Sequence, residues 1–308
     1  MSAQPPVVAS NVAPLQPLAA DAGDAPAQRW ALIGRLFREK PLGAAGGVVC
    51  LLFLLCGIFA DQLAPHGFNE IAPLQRLKPP SWAHWFGTDN LGRDMLSRCL
   101  YGARLSVIVS VSAAALATAI SVLIGVVSGY LAGRVDLLVQ RFVDAWMSFP
   151  DLVILIVVVS VFGPGMTTII VTLGLLFGIG GSRVVRSAVV SVREHMYVHA
   201  AQSIGASTFR ILWRHIIPNV LPPVIVLFTT RLGAVILAES ALSFLGLGVP
   251  PPAPSWGGML SGSGRTYMFQ GPWLALGPGL SITLVVYATN VFGDALRDLL
   301  DPRMRGSR

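Results

Sequence analysis

The chain has 308 residues, 54% of them hydrophobic and 12% charged, with a formal net charge of +7. A water-soluble domain of average composition is about 25% charged, so half that charge leaves too little material for a solvated surface, and much of this chain faces lipid. Three cysteines (Cys50, Cys56, Cys99) without a C-x-x-C pattern argue against a disulfide framework or a thiolate metal site, and basic residues scattered between apolar runs are the pattern that orients a membrane protein rather than one that binds nucleic acid.

Residues 1–28 are rich in Pro and Ala with no helical period, as in a disordered tail. The tail ends in a basic stretch (Arg29, Arg35, Arg38, Lys40), so residues 1–40 form one cytoplasmic unit. Pro41 to Ala60 is uncharged and about 20 residues long, enough to cross a hydrocarbon core of about 30 Å. It begins too late and runs too long for a signal peptide, and is read as a retained first span. With the segment up to residue 104 it makes a unit of one span plus an outer entry segment. Within that segment, Asp89 or Asp94 is placed to cap the helix of the second span.

The second span is expected from about Leu105 to Tyr130, opening a core domain over 105–295. Asp151 to Arg183 contains no charge between its ends and is long enough for more than one crossing. Phe162-Gly163-Pro164-Gly165 breaks it, giving a tight hairpin of spans near Ala145–Val161 and Met166–Gly181. Asp144 and Asp151 flank Pro150 and are read as capping residues. A fifth span is expected near Ile216–Ala238 and a sixth near Trp273–Phe292, before a cytoplasmic tail at 296–308. Backbone polar groups in lipid must be satisfied within the segment, so the predicted fold is an all-α integral membrane protein with about six transmembrane helices. Lys and Arg number fifteen on one side and six on the other, with Arg231 inside a span. This bias places both termini in the cytoplasm. The five basic residues of the first outer loop (Arg76, Lys78, Arg93, Arg98, Arg104) run against it.

Residues 183–217 form the longest inner segment. Tyr197, Ala201, Ile204, Thr208, Ile211, Leu212 and His215 recur mostly at steps of three and four and make one helical face. His199, Gln202, Ser203, Arg210 and Arg214 occupy the others. Gly205 and Ala206 interrupt the period, with Ser207 as the N-cap of a second helix. Two readings stand on these residues alone: an amphipathic helix lying on lipid, or a knob docking a soluble partner. Arg231 and Glu239 lie within the fifth apolar segment, where charge is costly. About 12 Å apart along a helix, they need separate partners. Glu239 is placed at the outer interface, hydrated there, and Arg231 deeper, facing an aqueous path or a subunit interface. Gly246 to Gly264, rich in Gly, Pro and Ser, forms an outer loop that folds back over the mouth of the pore.

The run Tyr197-Val-His-Ala-Ala-Gln-Ser-Ile-Gly205-Ala-Ser, followed by Arg214-His-Ile-Ile-Pro218, resembles the cytoplasmic loop of binding-protein-dependent ABC importer permeases. Ala200, Ala201, Gly205, Ile217 and Pro218 fall on that motif, whereas His199 stands where Glu is usual and His215 where an aliphatic residue is usual. Phe86-Gly-Thr-Asp-Asn-Leu-Gly-Arg-Asp-Met-Leu-Ser-Arg98, Phe149-Pro150, Glu239-Ser-Ala-Leu-Ser-Phe-Leu-Gly-Leu-Gly248, Pro254-Ser-Trp-Gly257 and Gly293-Asp-Ala-Leu-Arg-Asp-Leu-Leu-Asp-Pro302 narrow the resemblance to the dipeptide/oligopeptide/nickel branch and its C-type subunit. The likeness covers roughly residues 42–304. It implies the type I importer permease fold in a bacterial inner membrane, with the loop at His199, Ala200, Ala201, Ser203, Gly205, Ala206, Ile217 and Pro218 as the coupling helix seated on an ATPase.

The implied partners are a second, B-type permease, two ATP-binding subunits that use ATP and Mg, and a periplasmic or lipid-anchored solute-binding protein. The chain itself is expected to bind no cofactor and to catalyse no reaction, and no G-x-x-x-x-G-K-[S/T] phosphate loop is present. A membrane-embedded enzyme would need paired ionisable or metal-binding groups inside the spans, and none of the five histidines lies well inside one. A self-contained secondary carrier would show repeated halves, and no repeat is visible. The resemblance leaves the solute open among dipeptides, oligopeptides, nickel chelates, glutathione and related molecules.

Overall fold

The computed structural model describes residues 34–300, so the expectations for residues 1–28 and 301–308 lie outside the described residues. Ten helices carry the architecture: α1 (Pro41–Ile58), α2 (Met95–Leu131), α3 (Gly133–Met147), α4 (Asp151–Phe162), α5 (Met166–Arg193), α6 (Met196–Ser203), α7 (Thr208–Ile211), α8 (Ile217–Phe244), α9 (Trp256–Met259) and α10 (Trp273–Leu300). Five helical runs are long and apolar enough to cross a membrane: α1, α2, α5, the run Thr208–Phe244 and α10.

The expected third span, Ala145–Val161, is not one helix. Gly133–Met147 and Asp151–Phe162 meet at a bend of 82°. Pro150 forces the break, because the residue before a proline is pushed out of the helical region. The twelve residues of α4 rise only about 18 Å, short of a 30 Å core, so the crossing needs part of α3 as well. Packing shows that the pair does cross. Ideal Cβ atoms on Gly174, Gly178 and Gly125 would meet Leu116, Ile120 and Val185 at 2.5, 2.8 and 2.7 Å. Sequence numbers therefore rise together along α2 and α5, and the two helices run parallel. The chain must return across the membrane between them, and α3–α4 is the return. Asp144, expected as a cap, instead pairs with Arg183 of α5, while Asp151 sits in the first turn of α4, where the helix dipole favours a carboxylate.

The remaining crossings follow from similar contacts. Gly43 and Gly46 of α1 lie against Ala295 and Ala288 of α10, and Gly233 of α8 against Thr289, so α10 runs antiparallel to both. One buried cluster joins Leu105, Val109, Leu173, Val235 and Leu242. Another joins Val126, Val189, Val198, Ile211 and Val220. These mark opposite ends of the bundle. Six crossings result, with residues 59–94, 163–165 and 245–272 on one side. The 194–216 loop and both described ends are on the other, where Lys40 pairs with Asp298 at 2.6 Å.

Several helix ends differ from the sequence reading, among them that of α5, which runs on past Gly181 to Arg193. The second helix begins at Met95, ten residues before Leu105, because Asp94 caps it by accepting from the Ser97 N–H and its early arginines are neutralised. Arg104 pairs with Asp61 at 2.7 Å and Arg98 lies 3.8 Å from Asp89, which also holds Arg93, just before the helix, at 2.7 Å. The Arg104 hydrogen bonds hold the Asp61 carboxyl below its usual range. These pairs lower the net charge of the first outer loop but leave Arg76 and Lys78 without an acidic partner among the described residues, so the loop still runs against the bias. The fifth helical run starts at Thr208 and ends at Phe244, and the sixth helix continues to Leu300 with Asp298 held by Lys40.

Candidate functional site

The 194–216 loop is built on two caps. Gly205 adopts φ +76°. The Gly205 N–H donates to the Gln202 carbonyl at 2.9 Å and the Ala206 N–H to the Ala201 carbonyl at 3.0 Å. This is a Schellman closure of α6, which needs a left-handed residue at that point and brings Ala206 back onto Ala201. Ser207 then caps α7, its side chain accepting from the Arg210 N–H. The predicted interruption and N-cap are both present.

Pro218 shapes the exit. Its ring crowds the Arg214 carbonyl and it has no N–H to donate. The helix answers with a π turn over Leu212–Ile216, in which the Ile217 N–H reaches back to the Leu212 carbonyl. The Asn219 side-chain amide donates to the His215 carbonyl at 2.7 Å, adding a bond at this break.

Val198, Ala201, Ile211 and Ile216 pack inward. Val198 was missed by the periodicity, and Ile204, expected on the same face as Ala201, is instead 85% exposed, because the Schellman turn directs it outward. Met196, Phe209 and Trp213 are also exposed, with the Phe209 and Trp213 rings stacked at 6.4 Å. His199 is exposed and lies 4.0 Å from Glu194. Ala200 and Ser203 are exposed, and nothing comes within 4 Å of a Cβ placed on Gly205. The loop thus presents an apolar surface edged by Arg210 and Arg214. Phe209 and Trp213 were legible as an i, i+4 aromatic pair beside those two arginines, but the face reading assigned them no role.

Arg231 lies midway along α8, its guanidinium 5.1 Å from the Phe177 ring centroid of α5. Its Nη2 would lie 3.3 Å from a Cβ on Gly181. No hydrogen bond or ion pair to this cation is present among the described residues.

Glu239 is not at a hydrated interface. It is 1% exposed, accepts from the Ser243 hydroxyl at 2.6 Å, and its other oxygen has no partner among the described residues. The cause is the outer loop, which folds back as anticipated but inserts between helices. A Cβ on Gly257 would stand 2.0 Å from the Ser240 carbonyl, and Trp256 is buried, its indole N–H donating to the Cys99 carbonyl at 3.0 Å. Arg231 and Glu239 therefore share a helix but not a site. Above the fold-back, Arg93, Arg98, Pro252, Ser255 and Thr266 border an outer cavity of about 610 Å³.

Residues 121–306 match the family model of the binding-protein-dependent transport system inner membrane component. The chain belongs to this family. It is a multi-pass inner-membrane permease component, and residues 28–80 match a second model, the N-terminal transmembrane domain of oligopeptide transport permease C. The permease is 39% identical over 280 residues to a dipeptide transport system permease protein of Alkalihalophilus pseudofirmus, covering 90% of each chain. It is 38% identical over 296 residues to an oligopeptide transport system permease protein of Bacillus subtilis, covering 94% of this chain and 97% of that one. It is also 38% identical over 278 residues to a glutathione transport system permease protein of Escherichia coli, covering 90% and 91%.

Proposed function

We propose that this permease forms one half of an ATP-driven import path for a dipeptide, an oligopeptide or a related peptide-like solute, and that the loop around Gly205 seats on a separate ATPase subunit. The observation that carries the coupling role is the exposed apolar surface of Met196, Ile204, Phe209 and Trp213, held by two caps on the side of the bundle where both described ends lie. Exposed large apolar groups grouped in this way mark a protein contact. Arg231 supports the import role: a half-buried cation midway along α8, with an aromatic face, no hydrogen bond or ion pair among the described residues and only the more distant charge of Asp151, suits the passing carboxylate of a peptide. In this reading the chain binds no cofactor and catalyses no reaction. ATP and Mg are used by two ATPase partners, a B-type permease supplies the other half of the path, and a solute-binding protein delivers the cargo.

Ser203→Cys tests the seat. Its side chain is exposed two residues before Gly205, so a short bifunctional reagent should link it to an ATPase subunit in membranes. Purification of the tagged chain with neither an ATPase nor a second permease, and with no such crosslink, would overturn the proposal.

A further inference from the structure

Transport leaves one cluster of side chains unused. In the 59–94 loop, Asp94 serves the α2 cap with one oxygen only: its Oδ2 accepts from the Ser97 N–H and the Ser97 hydroxyl, each at 2.7 Å. Its Oδ1 points away from the helix, 2.9 Å from His84 Nδ1 and 3.9 Å from His66 Nδ1. The donor atoms of His66, His84 and Asp94 all lie within 4.8 Å of one another.

The same loop fixes each ring. The His66 backbone N–H donates to the Ser97 hydroxyl at 3.1 Å, the two imidazoles lie with centroids 4.8 Å apart and planes tilted by 32°, and His84 Nε2 hydrogen-bonds the Gln75 amide. Glu70 borders the same cavity, of about 140 Å³.

A hydrogen-bonded His–Asp pair that only braces the loop would account for His84. It leaves His66 unexplained, since His66 Nδ1 is buried from solvent with no hydrogen-bond partner among the described residues, and such orphans are rare. A metal ion accounts for both. Tetrahedral zinc with bonds of about 2.0–2.1 Å separates its ligand atoms by roughly 3.3 Å; the observed 2.9 and 3.9 Å straddle that figure, and the widest pair, within 4.8 Å, closes in by a small shift of the His66 ring on binding. Two imidazoles and a carboxylate select zinc and its neighbours over magnesium or calcium. The contact of His84 Nε2 with Gln75 is the outer hydrogen bond that orients a ligating imidazole. His66 is 35% exposed in its side chain while Asp94 is 1%, which gives an ion a way in and leaves a fourth position facing the cavity.

We infer that His66, His84 and Asp94 form a binding site for a divalent transition ion of the zinc type, which clips the 59–94 loop to the head of α2 on the side of the membrane opposite the 194–216 loop. The inference does not depend on the solute carried.

It is tested on the full-length chain in detergent, with any co-purifying subunits, its affinity tag cleaved and its metal stripped by chelator, titrated with Zn²⁺ and with Co²⁺. One ion per chain is expected, with a Co²⁺ visible spectrum of imidazole-ligated, four-coordinate type. The contact of His66 with Ser97 of the α2 cap is made by its backbone N–H, and its Nδ1 has no partner among the described residues, so His66→Gln leaves the α2 cap intact. It should weaken Zn²⁺ binding by at least the roughly 10–100-fold that losing an outer-shell partner costs. Gln75→Ala should weaken it within that range, and supplies the test should His66→Gln fail to fold. Less than half an ion per chain, or wild-type affinity in the folded variants, as would follow from binding at the exposed His195 or His199 or the half-buried His215, overturns the site.

Discussion

Gly205 separates backbone strain from docking at a single position. At φ +76° any L side chain is strained by about 1–2 kcal/mol, but the space around a Cβ is open, so size alone adds no clash within the chain. Gly205→Ala and Gly205→Glu should therefore lose similar stability and insert to similar levels. Only Glu places a charged, bulky group where an ATPase surface would close. Uptake of labelled peptide should persist in the Ala variant and collapse in the Glu variant; equal uptake in both would remove the docking role. At Arg231, loss of a charge-assisted hydrogen bond to a solute is worth about 1.5–3 kcal/mol. Arg231→Gln is expected to lower peptide uptake by roughly 10–100-fold at unchanged membrane abundance, with Arg231→Lys retaining part of it.

The contact between α2 and α5 is a glycine seam. Lipid tails are as apolar as the helices, so no hydrophobic force drives them together, and close approach of small residues must supply the attraction. A Cβ on Gly178 would stand 2.8 Å from Ile120 and 3.1 Å from the Ala117 carbonyl, whereas one on Gly180 meets only the end of Met147 at 4.0 Å. Gly178→Leu is expected to cost at least about 1–3 kcal/mol of overpacking and to lower the thermal midpoint in detergent, while Gly180→Leu should be near neutral. Element existence was legible in the sequence, because uncharged runs of spanning length have few other fates. The bend at Ser148–Pro150 was not legible, since the 133–147 stretch carries Arg134, Asp136, Arg141 and Asp144 and looked like loop. Its charge is absorbed by partners far along the chain, Asp136 by Arg186 and Asp144 by Arg183. Glu239 misled for the same reason: what buries it is Gly257 and its neighbours, a contact that no helical period encodes. The site loop was readable as two capped helices from Gly205 and Ser207, but the outward turn of Ile204 depends on where the Schellman closure points the chain.

At the scale of the whole molecule, sidedness follows from two independent constraints. The parallel course of α2 and α5 forces α3–α4 back across the membrane and fixes the crossings at six, which puts residue 34 and residue 300 on one side; the Lys40–Asp298 pair at 2.6 Å closes that side directly. Packing alone leaves open which side faces the cytoplasm, and there the excess of Lys and Arg beside the 194–216 loop decides. Cysteine labelling tests the two together. The native cysteines are poor targets, Cys99 being buried and Cys50 and Cys56 lying half-buried within α1. Trp82 is 95% exposed in the 59–94 loop, and Ser203 is exposed on the 194–216 loop. In right-side-out cells, a membrane-impermeant maleimide should modify Trp82→Cys at once and Ser203→Cys only after permeabilisation. Labelling of both from outside would break the crossing count, since residues 82 and 203 are separated by an odd number of passes. The reverse pattern would keep the count and invert the orientation, moving the proposed ATPase seat to a compartment without ATP and the proposed metal clip into the cytoplasm.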